Sequence, residues 1–203
     1  MSILSWIGIA FTAFVSVDLI LYLRKGQIKK DFAALRTLNR WRWLLAIPVA
    51  LVLVLVTVTV GTILYSYGGA ILQFSWLQLL ARPEEKATAG KNLVTAGFQI
   101  PIFVWIFLPL LAINIPRLAK REERAFRQDT RGVPTAIVRS IKFGLFHCIV
   151  GVPVAFGLAL SIPGLWFAYQ YSKGGVRLAT AWHSIYNWVI LAIAGVLIAL
   201  GAV

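Results

Sequence analysis

Three short clusters in the second half of the chain carry side chains that can do chemistry. The first is Glu122-Glu123-Arg124-Ala125-Phe126-Arg127, at the end of a long apolar stretch. On a helix, Glu123 and Arg127 are four residues apart and face each other, which suits an ion pair. Glu122 lies about 100° round the same helix and is left for another partner. The second cluster is Phe143-Gly144-Leu145-Phe146-His147, and the third is His183-Ser184-Ile185-Tyr186-Asn187. His183 and Asn187 share one helix face, and two polar groups stacked in an apolar helix demand a partner, because an unsatisfied group in hydrocarbon costs several kcal/mol. Taken singly, each cluster has an ordinary structural reading: a solvated charged helix end, a hydrogen-bonded packing histidine, a polar contact between helices. Taken together, they hold the only two histidines of the chain and two of its four glutamates.

A carboxylate with imidazoles offers two hydrolytic chemistries. In one, the carboxylate is a general base for water and neighbouring donors stabilise the oxyanion. In the other, two histidines and a glutamate hold zinc. The HExxH pattern that supplies two ligands from one helix turn is absent, which disfavours the metal.

The elements that must position these clusters are membrane helices. Of 203 residues, 60% are hydrophobic, and mean hydropathy is +0.82, whereas soluble domains run at roughly 45–50% apolar. The apolar residues fall in blocks near the ~20 residues that a ~30 Å hydrocarbon core requires. About six transmembrane helices can be drawn, over 3–23, 41–65, 93–115, 134–150, 152–171 and 178–200, giving an all-α polytopic membrane protein. Pro101 and Pro109 bend the third of these, and Gly151 with Pro153 separates the fourth from the fifth. The first stretch has no Lys or Arg before it and is long enough to span, unlike a signal peptide. Asp18 is an ionisable residue inside it, near enough to the helix end to reach water or a partner. No internal repeat is visible, so the chain reads as one domain, with N-terminal helices and a loop over 1–92 and a core over 93–203. Cys148 is the single cysteine and reads as a packing residue.

The net charge of +13 does not point to nucleic acid, because the basic residues lie between apolar blocks. Arg24–Arg42, Arg117–Lys142 and the Lys173–Arg177 turn hold seventeen Lys and Arg, against three in the loop around Arg82–Lys91. By the positive-inside rule the seventeen face the cytoplasm, and all three chemical clusters fall on that side.

These motifs resemble those of the CPBP family, the CAAX proteases and bacteriocin-processing enzymes. EERAFR is similar to the family's EExxxR motif, FGLFH to its FxxxH and HSIYN to its HxxxN/D, in the same order and with similar spacing. The resemblance covers about residues 121–188, a third of the chain. The sequence departs from the family pattern in having Lys120-Arg121 before the glutamates and Gln128-Asp129 after the arginine.

The resemblance implies a metal-independent, cofactor-free intramembrane endopeptidase that cleaves membrane-associated protein or peptide substrates. Glu122 with His147 would position and deprotonate the water, His183 and Asn187 would stabilise the oxyanion, and Glu123, Arg127 and Phe143 would support them. Processing of prenylated CAAX proteins, bacteriocin maturation or self-immunity, and cleavage of other membrane proteins all occur among such proteins, and the sequence does not select among them. The lipid bilayer is the expected surroundings, membrane-protein complex partners are admitted, and nucleic acid is not expected. Relatives of this fold include the scaffold subunit of γ-secretase, so a non-catalytic assembly subunit is the alternative. A transporter would need paired, interrupted half-helices, which the sequence lacks.

Overall fold

The structure is a computed structural model that describes residues 3–80 and 101–200. The basic loop over 82–91, the glutamates at 84 and 85 and the first residues of the expected third helix lie outside the described residues.

The described chain is helical throughout, without strands. In order, the α-helices are α1 (Ile3–Arg24), α2 (Ile28–Phe32), α3 (Arg40–Tyr67), α4 (Gly69–Gln73), α5 (Leu77–Leu80), α6 (Pro101–Arg127), α7 (Gly132–Phe146), α8 (Val154–Ala159) and α9 (Ser161–Ala199). Short 3-10 turns at Ala33–Thr37 and His147–Val150 complete the set. Three stretches are long and apolar enough to cross a bilayer: Arg40–Tyr67, Gly132–Val150 and Val154–Ala199. That is consistent with a membrane protein.

Helix α3 shows why these sequences make such elements. Asn39 caps it by accepting from the Arg42 N–H at 2.9 Å, which satisfies one of the orphan donors of the first turn. Its 28 residues make a rod of about 42 Å at 1.5 Å per residue, long enough for a tilted crossing. Leu44, Leu55 and Val58 on its outer face are exposed, while the small residues Ala46, Ala50 and Gly61 are buried. Large apolar groups outside and small ones inside is the pattern of helices packed within lipid, where close backbone approach replaces hydrophobic driving force.

Three boundaries differ from the sequence reading. Helix α6 does not stop before the first motif but runs continuously through Arg127. Pro109 and Pro116 lie inside it, as neighbouring helices permit in such bundles. His147 lies in the 3-10 turn that follows α7 rather than within the helix. The expected fifth and sixth helices are α8 plus the two arms of α9, which bends at Gly174–Gly175. Gly175 has φ +65, a conformation open to glycine and strained for other residues, so the chain turns back there.

Helix α9 is the centre of the bundle and packs on α6, α3 and α7. The core contains Phe143 from α7, Ala46 and Ala50 from α3, and Phe167, Leu178, Trp182, Ile185 and Tyr186 from the two arms of α9. Trp188 donates its indole N–H to the Ala112 carbonyl at 2.9 Å and ties the second arm to α6.

The basic connections meet at one end of this bundle. Arg117 bridges to Asp18 at 2.7 Å and Lys120 to Asp31 at 2.5 Å, and Tyr22 donates to Asp31 at 2.9 Å. Arg177, just past the bend of α9, reaches the Ala33 carbonyl at 3.5 Å. The carboxylate of Asp18, unexplained by sequence alone, is therefore the partner that holds α1 against α6.

Candidate functional site

The buried face of α6 at this end carries Glu123 and Arg127, both with no exposed surface. Arg127 Nε stands 3.8 Å from Glu123 Oε2, the expected four-residue pair. The guanidinium also lies over the Phe143 ring at 4.6 Å. Its nitrogens make no hydrogen bond to a described residue, so charge contact and the aromatic face hold it. Gly164 on α9 provides the room. A Cβ there would sit 3.2 Å from Arg127 Nη2 and 3.1 Å from the Phe143 ring, tighter than ordinary packing.

Glu123 has a second partner that the sequence reading missed. Its Oε1 is 2.8 Å from His183 Nδ1, across 60 positions of sequence. With the carboxylate ionised, Nδ1–H donates and the other ring nitrogen is left to face outward. Opposite that nitrogen is Glu122, whose Oε2 lies 3.6 Å from His183 Nε2. One imidazole thus stands between two carboxylates from successive positions of α6. Glu122 is the more open of the two, its side chain 27% exposed.

The His183 ring is fixed by its neighbours as well as by its nitrogens. Phe167 stacks on its face, with centroids 4.4 Å apart and planes at 15°. Phe143 meets it edge-on at 5.4 Å. With about 10 Å of helix between the start of the second arm of α9, just past the bend at Gly174–Gly175, and His183, the imidazole lies inside the bundle rather than at its rim, and it is buried.

His147 is arranged differently. Its Nδ1–H donates to the Phe143 carbonyl one turn earlier, at 2.9 Å. Its ring stands edge-on to Phe143 at 4.9 Å, so Phe143 is the wall common to both histidines. No hydrogen bond or ion pair joins His147 to Glu122 among the described residues. Asn187 is half-buried, and its side chain makes no hydrogen bond to a described residue. The structure therefore assembles Glu122, Glu123, Arg127, Phe143 and His183 by direct contact, with His147 one ring away and Asn187 one turn along α9.

No group of three or more His, Cys, Asp or Glu among the described residues has the arrangement of a metal site. Comparison with known proteins finds no matching family model, no matching curated protein and no matching solved structure.

Proposed function

We propose that this chain is an intramembrane peptidase of the CPBP type, hydrolysing peptide bonds of membrane-associated substrates without a metal or cofactor. The single observation that carries the reading is the carboxylate–imidazole–carboxylate arrangement of Glu123, His183 and Glu122 at one end of an apolar helical bundle. Two carboxylates and a histidine have no cheap place in such surroundings, and intramembrane ionisable groups mark function by default.

In this reading Glu122, the more open carboxylate, takes the proton of the attacking water. Glu123 fixes the tautomer and orientation of His183, whose Nε2 faces the same spot and shares the proton with Glu122. His147, with Nδ1–H tied to a carbonyl, presents its Nε2 edge, and Asn187 adds an amide donor for the oxyanion. Arg127 and Phe143 hold the carboxylate and imidazole in place. About six crossings, with the basic end of the bundle in the cytoplasm, complete the topology, and the site then opens toward the cytoplasm.

The scaffold reading is favoured by one feature. Glu123 and Arg127 are wholly buried and face inward, as they would if the cluster served only to clamp α6 to α7 and α9. The deciding experiment compares membrane-proximal peptides released in cells carrying wild type and Glu122→Gln. A peptidase loses specific products while the variant protein accumulates normally, and chelators leave wild-type cleavage unchanged. An unchanged peptide profile with partner assembly intact supports the scaffold.

A further inference from the structure

Beside the buried face of α6 runs a second stripe, Lys120 and Arg124 one turn apart, continued by Gln128 in the turn just past the helix. Arg124 is two residues from Glu122, hence about 200° round the helix, so this stripe looks away from the Glu122 side of the His183 cluster. It lines a partly enclosed cavity of about 540 Å³ between α2, α6 and α9. Four cations from three elements converge there: Lys30 from α2, Lys120 and Arg124 from α6, and Arg177 from α9. One carboxylate, Asp129, shares the lining.

Three of these four charges are not used up internally. Lys120 is bridged to Asp31, and Arg177 touches only the Ala33 carbonyl, at 3.5 Å. Lys30 and Arg124 have no side-chain partner among the described residues. Tyr171, whose hydroxyl accepts from the Asp129 N–H at 3.1 Å, adds a hydroxyl that still has its proton to donate. Cations left facing one another across a cavity repel, and the arrangement is stabilised by an anion that they share.

The depth of the cavity says what kind of anion reaches it. Ala34 of the 3-10 turn forms one wall, and a few residues later α3 begins with Arg40, Trp41, Arg42 and Trp43. Trp41 is 72% exposed and Trp43 41%. Outward-facing tryptophans interleaved with arginines mark the headgroup level of a bilayer. Basic pockets between helices at that level recognise phosphate-bearing lipid headgroups.

We propose that this cavity is a phosphate-binding site that takes the headgroup of an anionic phospholipid. Arg124 and Arg177 fork onto the phosphate from opposite walls, and Lys30 adds a third free charge beside Lys120, which Asp31 already pairs. Occupancy ties α2 to α6 and to the bend of α9, so the ligand stabilises the end of the bundle that holds the His183 cluster. The site stands whether or not the chain is a peptidase, because none of its cations belongs to that cluster.

The test uses the full chain purified in a neutral detergent, with unfolding followed as temperature rises. Phosphatidylglycerol raises the wild-type midpoint by about 5 °C, and phosphatidylcholine at the same concentration does not. R124Q/R177Q loses that rise, and K30Q/R124Q does so from the other wall. R131Q/K142Q, which removes the same charge from α7 and the turn before it, keeps it. Inorganic phosphate giving the full rise assigns the site to a free phosphate compound, whereas a rise with lipid only assigns it to the headgroup. The proposal is overturned if R124Q/R177Q and K30Q/R124Q keep the wild-type rise, if R131Q/K142Q loses as much as they do, or if neither lipid nor phosphate moves the wild type.

Discussion

The two histidines are the same residue on the same kind of apolar background, and the fold treats them in opposite ways. His183 is buried, stacked on Phe167 and bonded through Nδ1 to Glu123, with Nε2 facing Glu122. His147 is half-buried in a 3-10 turn and spends its Nδ1–H on a carbonyl of its own helix. The difference comes from what each helix end offers. At the end of α7 the last carbonyls lack intrahelical donors, so a histidine there has a local partner within one turn. At His183, about two turns into the second arm of α9, the backbone groups are already paired, and the imidazole must look to another helix. A histidine at a helix terminus is thus partly absorbed by capping, and one in mid-helix is free to carry long-range contacts.

The strongest way to break this contrast is through the carboxylates. On the proposed peptidase reading, Glu122→Gln keeps the shape of the side chain and removes the base, so cleavage of a substrate peptide falls by about 10²–10⁴ while the purified amount of protein is unchanged. His183→Ala lowers cleavage at least as much, because it removes both the group facing Glu122 and the partner of Glu123. His147→Ala, whose ring is one aromatic away, costs less than His183→Ala. Equal losses at the two histidines, measured as initial rates on one substrate, would return His147 to the side of Glu122 and erase the distinction drawn from the structure.

Folding responds to the other half of the cluster. Glu123 contacts Arg127 and His183 at once, and all three are buried. Removing one member of a buried ion pair leaves the other uncompensated, at a cost of about 3–5 kcal/mol. Arg127→Ala and Glu123→Gln should each lower the unfolding midpoint and the folded yield, in contrast with Glu122→Gln. The double variant should cost less than the sum of the two single ones, since the pair is coupled. Full additivity would mean that the 3.8 Å contact carries no energy.

Much of this architecture was legible in local sequence. Apolar blocks of bilayer length announced the helical bundle, and four-residue spacing announced the Glu123–Arg127 pair. Glycine and proline at 151 and 153 marked the turn before α8. What was not legible had one cause: it depends on contacts between distant segments. The Glu123–His183 bond spans 60 residues and the Arg117–Asp18 bridge spans 99, and no periodicity points across such gaps. Spacing left Glu123 to Arg127 alone, so the imidazole's hold on the same carboxylate came as new. The continuation of α6 through Arg127 was missed for a different reason. Hydropathy ends the third span near 115, where the charges begin, although the motif's own spacing is helical; the charges are carried on the faces that meet α1, α2 and α9. Polar or ionisable residues inside an apolar block, Asp18 and His183 among them, are the signals that ask in advance for a distant partner.

The gentlest perturbation tests whether the aromatic wall shared by the two histidines is under pressure. Gly164 faces Arg127 and Phe143, and a methyl group there would come within 3.1–3.2 Å of Phe143 Cδ1, Arg127 Nη2 and Ser140 Cβ. Alanine gains about 1 kcal/mol over glycine as a helix former, and overpacking costs about 1–3 kcal/mol. Both neighbours are pinned, Phe143 by rings on several sides and Arg127 by Glu123, so neither can retreat freely and the cost should exceed the gain. Gly164→Ala is therefore expected to destabilise by about 1 kcal/mol in thermal unfolding. Because Phe143 touches both His183 and His147, on the peptidase reading cleavage should fall a few-fold at most, well short of Glu122→Gln. A stabilised Gly164→Ala protein with wild-type cleavage would show that the wall is looser than its contacts imply, and that the orientation of His183 rests on Glu123 and Phe167 alone.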